Sequence, residues 1–135
     1  MTAGRPEACV GAVAVRGGEL LLVRRGHGPA GGRWAVPGGR IEFGETAAEA
    51  VVREVAEETG LVAVCGPLLG WGELLDDDHH YVILDFEVTI LSGELAAGDD
   101  AAEAAWVPLD RVTSLRLADG VAELLAEHGV LDLFT

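Results

Sequence analysis

A chain of 135 residues, half of them apolar, is long enough to bury a core and reads as a single domain over residues 1–135. Its formal charge of −14 argues against a nucleic-acid polymer as partner, because phosphate backbones need basic surfaces. A single nucleotide stays open, since metal ions can hold its phosphates.

No apolar run approaches the ~18 residues of a membrane span, and the polar start Met1 to Glu7 lacks the basic and apolar pattern of a signal peptide. A cytoplasmic protein with no membrane partner is the expectation. Cys9 and Cys65 both lie in apolar surroundings, outside any zinc-spaced cluster, and read as buried structural thiols.

Cys9 to Val15 and Leu20 to Val23 read as two strands joined by a hairpin turn at Arg16-Gly17-Gly18-Glu19. Both are almost continuously apolar, so each should be covered on both faces. Arg24 and Arg25 then lead into a loop with four glycines and a proline between Gly26 and Arg33. That loop can border a substrate, and Arg24, Arg25 and Arg33 are candidate phosphate contacts, with ordinary surface arginines as the alternative. His27 reads as solvated. Trp34 can stack on a base or pack in the core. Pro37-Gly38-Gly39 bends the backbone and lets main-chain carbonyls approach an ion.

Thr46-Ala47-Ala48-Glu49 has the form of a capping box, and Gly60 sits where a left-handed residue stops a helix. Between them, Ala48, Val51, Val52, Val55 and Thr59 form the expected core stripe. Ala47 and Ala50 are expected on the glutamate side, leaving space, and Glu49 and Arg53 as an i,i+4 pair. Glu54, Glu57 and Glu58 share a face at spacings where like charges repel. A bound divalent cation is the simplest thing to offset that repulsion; a plain solvated face is the alternative.

After Leu61, the run Val62 to Leu75 reads as one or two strands with a bend. Asp76-Asp77-Asp78-His79-His80 reads as a solvated turn rather than a metal cluster. Tyr81 to Ile90 is a strand with Val82, Leu84, Phe86, Val88 and Ile90 on one face. Ala96 to Ala105 is small, acidic and flexible, and Trp106 to Leu109 is a short strand ended by Pro108. A last helix starts at Ala118 or Asp119, with Val121, Leu124, Leu125 and His128 on one face, and closes at Gly129.

The 23-residue stretch Gly39 to Leu61, GRIEFGETAAEAVVREVAEETGL, resembles the Nudix box at every defined position. Gly39, Glu45, Arg53-Glu54, Val55, Glu57-Glu58, Gly60 and Leu61 carry the match, and Trp34 to Gly38 looks like the usual lead-in. The resemblance implies an α/β fold: a Nudix-type α/β/α sandwich, its mixed β-sheet flanked by the box helix and a C-terminal helix. It implies hydrolysis of a nucleoside diphosphate linked to another group, with magnesium required and manganese possible. Metal ligation falls to Glu54, Glu57, Glu58 and a carbonyl at Gly38 or Gly39, with Glu57 as ligand or base. Glu45 would brace Arg53, and Gly60 would end the helix. Asp100 and Glu103 are the candidates outside the box for general base or extra ligand, Asp99 less so.

The similarity leans toward ADP-ribose-like substrates, with (oxidised) deoxynucleoside triphosphates second. A nucleotide-binding module without turnover is the reading from another class, and the intact box counts against it. A homodimer is possible, with the tail Val130 to Phe134 packing at an interface or on its own domain.

Overall fold

The computed structural model describes residues 4–26, 31–98, 101–127 and 129–130. His27, Asp99, Asp100, His128 and the tail beyond Val130 lie outside the described residues. The architecture is two four-stranded sheets with a helix on either side, an α/β/α sandwich. In the first sheet, β1 (Glu7–Val13) pairs antiparallel with β5 (Gly38–Arg40) and parallel with β7 (His80–Ser92); β6 (Val62–Leu75) pairs antiparallel with β7 at the outer edge. The second sheet is antiparallel throughout. Its central strand β3 (Glu19–Arg25) has β8 (Ala101–Pro108) on one side; β2 (Val15–Arg16) and β4 (Trp34–Ala35) share the other.

The expected hairpin of two long strands is corrected at Ala14. There the chain leaves the first sheet, and only Val15 and Arg16 pair with β3. The turn itself is the mirror-image type, with Gly17 and Gly18 at φ 58° and 78°, a backbone that matches the twist of the strands it joins. The expectation that these strands are covered on both faces holds. Leu21 faces the helix α1 (Ala47–Thr59) with Val10, Ala12, Val51 and Val55. Leu20 and Leu22 face the opposite way, toward α2 (Val121–Glu127), with Val13, Val112 and Leu125. A period of two on one strand thus feeds two separate cores.

Other boundaries moved. The segment expected to be flexible before Trp106 is strand from Ala101 onward, because it pairs along the whole of β3. A 3-10 helix over Leu109–Ser114 follows, and α2 starts at Val121, two to three residues later than expected. β6 is one strand, as one of the two expected readings had it, with register shifts between Val62 and Ala63 and again between Cys65 and Gly70, around Pro67. Cys9 is buried, whereas Cys65 is only half-buried, and both thiols are free. The face of Val82, Leu84, Phe86, Val88 and Ile90 is fully buried only at Val88, since α1 packs over the other end of β6 and β7. Asp76 Oδ1 accepts the N–H groups of Asp78 and His79 at 2.7 Å each, as a tight solvated turn should. Among the described residues, no helix is long and apolar enough to cross a membrane.

Candidate active site

Local sequence builds the helix that carries the carboxylates. Thr46 Oγ1 accepts the Glu49 N–H at 3.1 Å, and Glu49 Oε1 accepts the Thr46 N–H at 2.9 Å. Two otherwise orphaned donors are satisfied at the start of α1. Gly60, at φ 75°, ends it by donating its N–H to the Ala56 carbonyl at 2.9 Å.

The buried stripe of α1 is rotated from the one expected. Ala50, Val51, Val55 and Thr59 are buried and Ala47 packs beside them, while Ala48 is exposed. The β5 edge lies against this flank at Glu54, whose carboxyl sits beside Gly39. Glu54 and Glu58 consequently sit at the border of the core rather than in open water. The Glu54 side chain is 14% exposed, against 42% for Glu57.

Arg53 is also turned differently. The expected pair with Glu49 gives way to the capping box, which uses Glu49. The guanidinium instead spans Glu45 with a two-pronged bond, Nε to Oε2 at 2.7 Å and Nη2 to Oε1 at 3.0 Å. It donates further to Glu54 Oε1 at 2.8 Å, to Glu57 Oε2 at 3.1 Å and to the Arg40 carbonyl at 3.0 Å. These bonds hold the Glu45 carboxyl down to about 2, the Arg53 contact first and the Glu42 N–H second. One cation therefore ties the loop before the helix, the β5 backbone and two of the three glutamates into a single unit.

Glu58 is the group this unit leaves out. Burial, and then the negative charge of Glu54, push its pKa up to about 8; the Gly38 N–H and the charge of Arg25 pull the other way. The Gly38 N–H reaches Glu58 Oε2 at 3.3 Å. A side-chain hydrogen bond to Glu54 adds to the upward push on Glu58.

The backbone opposite is closely approached at two glycines, by main chain at Gly38 and by a side-chain end at Gly39. A Cβ on Gly39 would stand 2.6 Å from the Glu54 carboxyl, and one on Gly38 would collide with the Val10 carbonyl. Val23, Arg25, Gly38, Gly39, Arg40, Glu54, Glu57, Glu58 and Ala101 enclose a cleft of about 350 Å³.

A hard divalent cation suits this donor set, which is all oxygen, clustered and partly desolvated, with a glycine cradle that admits main-chain atoms. Among the described residues, no three acidic or imidazole groups converge as a ready-made cage. Arg53 bonds Glu54 and Glu57, so ligation by all three glutamates requires those carboxylates to turn toward Glu58. We expect Gly39→Ala to fold but to lower magnesium affinity and turnover together by roughly tenfold or more, the scale of a displaced ligand's support. Calorimetric magnesium titration beside turnover measurement checks it; unchanged magnesium affinity would remove Gly39 from the site.

The remaining candidates are placed as follows. Arg24 pairs with Glu103 across β3 and β8, with Nη2 to Oε1 at 3.2 Å, and neither is among the residues lining the cleft. Arg33 reaches Asp119 at 3.5 Å at an exposed position. Trp34 packs against the core under α2 and pairs its backbone with Leu117, consistent with a core role. Asp99 and Asp100 lie outside the described residues; their neighbours do not. Gly98 donates its N–H to the Glu58 carbonyl at 3.1 Å, and Ala101 lines the cleft.

Of the candidate arginines, Arg25 lines the cleft, and Arg40 lines it as well. Strand alternation was the signal for choosing it over Arg24: Leu21 faces α1, so Val23 and Arg25 follow on that side. Arg40 was missed because its position depends on the β1–β5 pairing.

Comparison with known proteins places the chain in one family. A family profile described as NUDIX domain matches residues 5–128. The chain is 40% identical over 112 residues to an ADP-ribose pyrophosphatase of Methanocaldococcus jannaschii, a match covering 82% of this chain and 66% of that one. The chain thus spans just under two thirds of that relative's length. It is 34% identical over 117 residues to a Mycobacterium tuberculosis protein provisionally named 8-oxo-dGTP diphosphatase 2, covering 76% and 81%. Among solved structures, a MutT NUDIX hydrolase from Burkholderia pseudomallei superposes with a TM-score of 0.80 at 28% identity, covering 90% of this chain and 97% of the other.

Proposed function

Because this chain belongs to the Nudix hydrolase family, we propose that it hydrolyses the pyrophosphate linkage of a nucleoside diphosphate derivative of the ADP-ribose type. The observation that carries the reading is the Glu54–Glu58 pair, half-buried behind a glycine backbone, with Arg25 lining the same cleft.

Each part of the site has a task in that reaction. Glu54, Glu57, Glu58 and the Gly39 carbonyl would hold magnesium, or manganese in its place. Once bound, the ion neutralises charge on the phosphate oxygens and lowers the pKa of water. Arg25 orients the diphosphate from across the cleft, giving position as well as charge. Arg53 and Glu45 hold the helix against the loop, so the carboxylates present a fixed geometry. The water oxygen bonds to one phosphorus while the bridging oxygen leaves with the other. The water's proton passes to a carboxylate; Glu57, Glu58 and Asp100 are the candidates for that base. In this reading Arg24, Arg33, Trp34 and Glu103, none of which lines the cleft, are given no direct part.

Deoxynucleoside triphosphates, oxidised ones included, are the second reading, favoured by the similarity to the M. tuberculosis protein. A nucleotide panel with magnesium or manganese, products identified by mass, separates the two. ADP-ribose cleaved to AMP and ribose 5-phosphate is the expected result, with turnover lost on chelation. Release of pyrophosphate from triphosphates, with ADP-ribose untouched, would establish the second. Nucleotide binding that raises the melting temperature without any product would mark a module without turnover.

A further inference from the structure

Arg40 enters the cleft from a different sheet than Arg25. Arg25 ends β3 in the second sheet, whereas Arg40 ends β5 in the first, and both line the same space. The Arg40 backbone is fixed twice over: it pairs with Cys9 of β1, and its carbonyl accepts the Arg53 Nη2 donor at 3.0 Å. Strand alternation puts the Arg40 side chain on the face away from Gly39, whose own Cβ direction meets the Glu54 carboxyl. On that face, two residues along from Cys9, the register sets Glu7 of β1 opposite Tyr81 of β7.

Both of these residues hold the guanidinium. Glu7 Oε2 forms an ion pair with Arg40 Nε at 2.7 Å. A hydrogen bond with the Tyr81 side chain, and then the Glu7 charge, raise the Arg40 pKa above its ordinary value. Tyr81 is itself braced by the His79 ring, stacked on it at 5.3 Å. An arginine fork has more donors than two partners use, so it can take a phosphate without releasing either. The ion pair is exposed, 66% at Arg40 and 34% at Glu7, a setting in which such pairs add little stability. What it supplies is aim. Without its anchors, a long cationic side chain in a chain of −14 has many carboxylates to visit, and Glu54 and Glu57 line the same cleft.

We propose, resting on the diphosphate reading above, that Glu7 and Tyr81 are positioning residues, which aim Arg40 at one phosphate of the substrate while Arg25 holds the other. A diphosphate carries charge on both phosphorus centres, and the helix wall of the cleft is acidic. Direct side-chain donors to both phosphates therefore come from the strand ends, where Arg25 and Arg40 stand. Neither Glu7 nor Tyr81 lines the cleft, so each acts through Arg40. A phosphate contact held in one place binds better, and reacts better, than one that must first be found.

A double-mutant cycle tests the relay. It is read by calorimetric binding of α,β-methylene ADP with magnesium, and by turnover of whichever nucleotide the chain cleaves. Arg40→Ala should weaken analogue binding by about tenfold or more, and Arg40→Lys should recover part of that. Glu7→Gln and Tyr81→Phe should each weaken binding about threefold or more and lower kcat, yet cost nothing further once Arg40 is alanine. Arg111→Ala removes an exposed charge away from the cleft and should leave binding unchanged. Should Arg40→Ala fail to fold, Arg40→Lys carries the same cycle. Losses at Glu7 and Tyr81 that persist undiminished in the Arg40→Ala background would make both merely structural and overturn the proposal. So would an Arg40→Ala chain that binds the analogue as tightly as wild type, or a wild-type chain that does not bind it. If the analogue binds and no nucleotide is cleaved, the hydrolase reading fails while the binding cycle still decides the role of Glu7 and Tyr81.

Discussion

Replacing Glu58 by glutamine is expected to cut turnover at saturating magnesium by at least ~10²-fold and, at the same time, to make the ion-free protein more stable at alkaline pH. The two effects share one cause. Burial and the charge of Glu54 raise the Glu58 pKa from 4.5 to about 8 in the folded chain. A carboxyl with a raised folded pKa supports folding fully below its unfolded value, because both states then hold the proton. As pH climbs from 4.5 toward 8, the unfolded chain releases that proton and the folded chain keeps it, so stability is lost across the window. The loss is on the order of 1.4 kcal/mol per pH unit at most. Glutamine imitates the protonated acid and carries no such penalty. Thermal melts of both proteins in chelator at pH 4.5 and pH 8 should therefore coincide at the lower pH and diverge at the higher, with the variant more stable. Melts that stay parallel would mean Glu58 is charged in the ion-free fold, and undiminished turnover would take it out of the chemistry.

The second large effect is expected at Arg53. Its guanidinium bridges Glu45, Glu54, Glu57 and the Arg40 carbonyl within 3.1 Å, and among the described residues no other cation touches all of them. Arg53→Ala leaves those carboxylates to repel one another and frees the loop from the helix. Turnover should fall by roughly 10²-fold, the scale of a reacting group misplaced by about an ångström. Arg53→Lys restores the charge but not the fork, so it should recover only part of the loss. If lysine restored full activity, charge alone would account for the residue. A fall seen only in KM, with kcat intact, would make Arg53 a substrate contact instead of a positioning residue.

Much of the site was legible in sequence because it is local. The capping box, the Gly60 stop and the spacing of Glu54, Glu57 and Glu58 lie within one helix, where residue offset decides which side chains are neighbours. The Gly17-Gly18 turn and the double-sided burial of Leu20 to Val23 were readable for the same reason. The Glu49–Arg53 pair was misjudged because two partners compete for each residue: the cap takes Glu49, and Glu45, distant by eight positions, takes Arg53.

What the sequence determined by itself, then, was the chemistry on offer: a helix with defined ends bearing three carboxylates, a glycine bend before it, and arginines next to a strand end. Which of those groups meet was left to tertiary structure. Pairing of β1 with β5 brings the Gly38 and Gly39 backbone against Glu58 and Glu54, and the rotation of α1 onto that edge removes both from water. Alternation along β3 sends Arg25 to the cleft and Arg24 to Glu103. The physical reason is reach. Offsets of three or four residues are set by the helix itself, whereas burial, charge pairing and proton affinity depend on segments that come together only when the sheets close.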